Sequence, residues 1–95
     1  MVIGVLRVEL TLHGVASLKE KRSIVRRIVS RTKNQFEISV AEVEDQDVHQ
    51  SAVIGCAVIT NDGRHANEIC DKVANFIESL YLAPIRNIGI EILHV

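Results

Sequence analysis

Residues 2–13, VIGVLRVELTLH, sort their side chains onto two sides without interruption. Val2, Leu6, Val8, Leu10 and Leu12, with Gly4, fall on one side. Ile3, Val5, Arg7, Glu9, Thr11 and His13 fall on the other. A period of two held this long predicts a strand with one buried face. The same residues wound as a helix would scatter the apolar set around the axis. A half-buried strand needs neighbours to pair with and a layer to cover it, so the rest of the chain has to supply both.

The remaining segments divide into elements of the right kinds. Gly14 ends the first strand, and Ser17-Leu18-Lys19-Glu20 has the spacing of a capping box, which predicts a helix over 17–34. Leu18, Ile24, Val25, Ile28, Val29 and Thr32 recur at helical spacing as its apolar stripe. Phe36–Val43 reads as a second strand, and Asp45–Gln50 as a polar turn. SAVIGCAVIT (51–60) is apolar on both faces and reads as a central third strand. Asn61-Asp62-Gly63 is a turn, followed by a second helix over 64–81 with Ala66, Ile69, Cys70, Val73, Phe76, Ile77 and Leu80 inward. After Pro84, residues 86–95 alternate again, with Ile88, Ile90 and Ile92 on one face. The order is βαββαβ. It predicts an α+β sandwich in which a four-stranded antiparallel sheet carries both helices on one face. At 95 residues this is one domain, and 47% hydrophobic residues with a mean hydropathy of +0.20 suffice for a core, which excludes a disordered chain.

Two helices can cover only one side of such a sheet. The other side then carries Ile3 and Val5, together with either Val53, Ala57 and Ile59 or Ala52, Ile54, Cys56 and Val58. An apolar face of that kind points to a homo-oligomer, formed through the sheet face or through a sheet edge.

The net charge of −1 hides a strong segregation. Residues 17–34 hold seven of the eleven basic side chains (Lys19, Lys21, Arg22, Arg26, Arg27, Arg31 and Lys33) and one acid, Glu20, for a local charge of +6. Residues 35–62 carry six acids and no Lys or Arg. Lys19, Lys21 and Arg22 crowd the first turn, where the helix dipole disfavours cations unless an anion is present. All seven basic residues are therefore candidate anion- or nucleic-acid-binding residues, with a small-anion site at the helix start as one form of it. On a helical wheel Lys19, Arg22, Arg26 and Lys33 share one flank, and Arg27 and Arg31 another. Lys21 lies near the apolar stripe, where pairing with an acid such as Glu42, Glu44 or Asp47 competes with anion binding.

Other chemistries have weaker signatures. The four histidines show no HxH or HxxxH spacing, and the acids near the turn at 45–50 lack a calcium-loop pattern, so no metal or other cofactor is expected. Cys56 and Cys70 form no CxxC pair and read as buried thiols of a reducing compartment. No nucleophile–base arrangement, Walker loop or G-x-G-x-x-G stands out, and no catalytic residue is assigned: the chain reads as a binding protein, not an enzyme. An RNA recognition motif would place aromatics on strands one and three, and these have none. A phosphatase of the acylphosphatase type would need a glycine-rich loop where HGVASLKEKR stands. No apolar run is long enough to span a membrane.

SLKEKRSIVRRI (17–28), the Val40-Ala41-Glu42-Val43 block with Asp47, and SAVIGCAVITND together resemble the YlxP-like family, a bacterial family of unknown function, over essentially the whole chain. The resemblance implies a ferredoxin-like fold. The family's genes often lie beside those of a translation initiation factor and a ribosome-binding factor, which implies a cytoplasmic protein associated with ribosomal RNA or a ribosomal subunit. Lys19, Lys21, Arg22, Glu42 and Asp47 stand at family-type positions. This chain has His49 where members often carry an aromatic. The expectation is an RNA- or ribosome-associated protein acting through its first helix. A dimeric structural or small-anion-sensing module is the alternative.

Overall fold

The structure, a computed structural model, describes all 95 residues. Its elements are β1 (Val2–Thr11), α1 (Leu18–Gln35), β2 (Ser39–Glu44), β3 (Ser51–Thr60), α2 (Gly63–Ser79) and β4 (Ile85–His94). The strands form one antiparallel sheet in the order β2-β3-β1-β4. The expected α+β sandwich, with βαββαβ order and two helices packed on one face of the sheet, is the observed fold. Strand β3 is central, as its two apolar faces require.

The alternation along β1 becomes an alternation of burial: Val2, Leu6, Val8, Leu10 and Leu12 lie under the helices, and the intervening residues are half-buried on the other face. The register pairs Ile3 with Ile59, Val5 with Ala57 and Glu9 with Val53. It thereby puts Val53, Ala57 and Ile59 on the uncovered face and Ala52, Ile54 and Cys56 in the core. From α1, Val25, Ile28 and Thr32 point into this layer. From α2 come Ala66, Cys70, Val73, Ala74 and Ile77. Each fully buried large aliphatic contributes roughly 1.5–3 kcal/mol.

Local chemistry sets the element ends. Ser17 caps α1, its Oγ accepting from the Glu20 N–H at 3.1 Å. Asp62 caps α2 by accepting from the Arg64 N–H at 3.1 Å. Gly14 sits at φ 73°, a left-handed conformation that suits glycine at the turn out of β1. The main departure from the sequence reading is at β2, which starts at Ser39 rather than Phe36. Phe36 caps α1 and meets Phe76 of α2 edge to face, with ring centroids 5.5 Å apart. It is drawn between the helices and cannot join the ladder.

Candidate functional site

The seven basic residues of α1 divide cleanly into six and one. Lys19, Arg22, Arg26, Arg27, Arg31 and Lys33 are all exposed. None of them has an acid within ion-pairing distance, although the chain contains twelve. The ion pairs that do form involve Arg7, Lys21 and Arg86. The six free cations follow the helix for about 21 Å at 1.5 Å per residue. Their positions are dictated by the apolar stripe. Once Val25, Ile28 and Thr32 face the sheet, the flanks and outer side of α1 have to face water.

Lys21 departs from the anion-binding set. Its side chain is completely buried, with Nζ 3.1 Å from Glu42 Oε2 of β2. It also donates to the backbone carbonyl of Asp45. Lys21 lies at the angular centre of the buried stripe, between Val25 and Ile28, so it cannot reach a ligand at the surface. Glu42 Oε2 is itself buried, and the ammonium lies off the line of a well-formed hydrogen bond to it, so the contact is a close ion pair. The expected pairing with Glu42 is thus realised. Asp47 is exposed in the turn and makes no ion pair with Lys21.

Asp45 anchors the β2–β3 connection. It has a left-handed backbone (φ 61°), and its carbonyl also accepts the Val48 N–H at 3.0 Å. Its carboxylate accepts from the Ser51 hydroxyl at 2.8 Å, and Arg86 of β4 donates to that hydroxyl at 3.2 Å. The acidic turn is therefore held by α1, β3 and β4 and is not spread over the basic helix.

Between α1 and the edge strand β2 runs a shallow groove of about 480 Å³, lined by Arg22, Arg26, Lys33, Val25, Val29 and Glu42. It joins one row of cations to the sheet edge, while Arg27 and Arg31 form the other row. At the helix start, Glu20 reaches back to within 3.5 Å of the Ala16 N–H, so a carboxylate of the chain already sits at the entry. Together with the withdrawal of Lys21, this leaves the first turn a poorer place for a single small anion than the length of the helix is for an extended one.

Both cysteines are free thiols buried in the core. The Cys56 thiol is pushed up to about 12 by burial and, secondarily, by Cys70, and the Cys70 thiol is also raised by burial. No three His, Cys, Asp or Glu side chains converge to share a metal ion. No helix is long and apolar enough to cross a membrane.

The ion-pair network centred on Arg7 escaped sequence reading. Arg7 contacts Glu44 and, at 2.9 Å, Glu9 on the uncovered face. The signal was present in the i, i+2 spacing of Arg7 and Glu9 on one strand face, but Glu44 comes from a strand whose register is interrupted by a bulge at Val43.

Comparison with known proteins agrees with this fold. The backbone is similar to a protein designed de novo with a ferredoxin fold (TM-score 0.58, 16% identity, covering 98% of this chain and 84% of the design). It is also similar to a structural-genomics protein, YJCS (TM-score 0.55, 9% identity, covering 97% and 99%). These likenesses speak to the fold alone. In sequence, the chain is 32% identical over 77 residues to the uncharacterized protein YlxP of Bacillus subtilis (strain 168), covering 81% of this chain and 84% of that protein. Residues 3–90 match the model of a family described as protein of unknown function, DUF503. With nearly the whole chain matched, this protein belongs to the DUF503 family, together with YlxP-like proteins.

Proposed function

We propose that this protein binds RNA through the outer face of α1, as a cytoplasmic, ribosome-associated factor in ribosome maturation or translation, and that it acts by binding rather than by catalysis. One observation carries this reading: six exposed cations on a single helix, none neutralised within a chain that has ample acid to neutralise them. Uncompensated charge of one sign raises a local potential that attracts a polyanion. The spread of the cations over about 21 Å suits a phosphate backbone better than one small anion. The gene neighbourhood implied by the YlxP resemblance makes ribosomal RNA the favoured polyanion.

Such binding reads shape rather than bases. Phe36 and Phe76 are occupied with each other, and the exposed ring of Tyr81 lies beyond α2, so α1 offers no stacking platform. Phosphate contacts then set the affinity, and it falls steeply with salt.

The test is co-sedimentation with ribosomal subunits at low and high salt, with an Arg22→Glu/Arg26→Glu variant alongside. The expected result is comigration with one subunit, lost as salt rises. In the double variant binding weakens by about tenfold or more, and the log–log salt slope shrinks by roughly two. Binding that is unchanged in the variant, or absent at every salt concentration, defeats the proposal.

A further inference from the structure

The sheet face away from the helices is where exposed aliphatic side chains gather. The register sets Ile3 of β1 between Ile59 of β3 and Leu93 of β4, with Val5 and Ala57 in the next row. Ile59 is 71% exposed and Leu93 37%. Further along the same face, the bulged Val43 is also exposed and lies over Gly55, where an added Cβ would come within 2.7 Å of its Cγ1. Single exposed aliphatics are ordinary, but a contiguous group on one face marks a surface that is covered in use.

The polar groups beside this patch narrow the choice of occupant. Arg7 is already paired with Glu9 and Glu44, and Arg86 lies 4.0 Å from Glu9, which stands opposite Asn87 in the register. Charges satisfied within the chain need no counter-charge from a partner and cost less to cover than lone ones. A strongly charged peptide or nucleic acid has little to gain here. An apolar, near-neutral surface fits.

We infer that the occupant is a second copy of this chain, packed sheet to sheet about a two-fold axis. The face is its own complement: an aliphatic patch that meets the same patch, beside a network that is already neutralised. Charge favours this approach over pairing along the β2 edge. A copy arriving along the β2 edge would bring two sets of Arg22, Arg26 and Lys33 together. Sheet-to-sheet packing instead puts the two α1 helices on opposite outer surfaces. At about 10 Å per layer they stand some 30 Å apart, well beyond the screening length of about 8 Å. The area is adequate. Three strands of ten residues and one of six, about 4.8 Å apart at about 3.3 Å per residue, give on the order of 570 Å² per copy, or about 1,140 Å² in total, close to the lower bound of stable interfaces. Glu91 of the edge strand β4 stands opposite Val5 on this face and has no ion pair within the chain, so it is the one carboxylate here that the dimer has to leave at its margin.

This inference does not depend on what α1 binds. Sedimentation equilibrium of the full chain over a dilution series tests it, with Ile59→Asp, Val5→Asp and, as a control, Arg26→Asp. The expected mass is twice 10.6 kDa. Ile59→Asp, at a site exposed enough to leave the fold intact by circular dichroism, weakens the dimer by about 100-fold or more, because each copy would bury a lone carboxylate. Arg26→Asp leaves the dimer unchanged. A monomer at every concentration overturns the inference, including the case in which a different protein covers the face. So does a dimer indifferent to both Ile59→Asp and Val5→Asp.

Discussion

Lys21 shows how one side chain changes sides between pattern and structure. By composition it belongs to a basic helix, and by angle it belongs to the apolar stripe. The angle wins, because rotating α1 to expose Lys21 would expose Val25 and Ile28 as well. The ammonium then has to be met inside, and Glu42 together with the Asp45 carbonyl meets it. Removing one partner leaves the other buried and unpaired, so Lys21→Ala is expected to cost about 3–5 kcal/mol in urea denaturation. Lys21→Met combined with Glu42→Met should recover most of that loss. A cost of under about 1 kcal/mol for the single change would mean that Glu42 is solvated after all. The stripe was readable from spacing, and so was the need for an acid. Which acid could not be read, because the Val43 bulge decides that Glu42 faces the helix while Glu44 faces the opposite side, toward Arg7.

Among the elements, the strands and helices with an unbroken period were readable to within about two residues, because burial enforces period two in β1 and a helical stripe in α1 and α2. Strand β2 was less so: its first three expected residues lie outside the ladder, since an aromatic pair between helices competes with pairing on an edge strand. The polar belt across the uncovered face is also a property of elements, built from residues on β1, β2 and β4. Within it, Asn87 and then Arg7 hold the Glu9 carboxyl below its ordinary value. A carboxylate depressed in the folded state stabilises above its unfolded value, and that stability is lost as pH falls through the folded value. Acid titration followed by circular dichroism should therefore show a loss of stability on the acid side of the ordinary glutamate value of 4.5, and Glu9→Gln should flatten that slope. A variant with the same acid profile as the parent would remove Glu9 from the account.

For the whole molecule, the segregation of charge was visible in the sequence, but its exposure was not: counting places seven cations on one helix, and only packing shows that six are free. The core is shared by both helices and all four strands, so it should open in one step. Burial pushes the Cys56 thiol up to about 12, from an unperturbed value of 9.0, and it stands on the central β3. A thiol reagent at mildly alkaline pH is expected to modify it only as the chain unfolds, with the labelling midpoint in urea coinciding with loss of helix. Labelling well ahead of that midpoint would reveal a separate, local opening of β3. The strand order has a further consequence, which concerns the birth of the molecule. Strand β1, made first, is flanked by β3 and β4, and β4 is made last. During synthesis, its apolar side therefore leaves the ribosome long before its second neighbour exists. Over most of its synthesis the nascent chain carries an unfinished sheet, and the pairing that completes it joins the first ten-residue strand to the last.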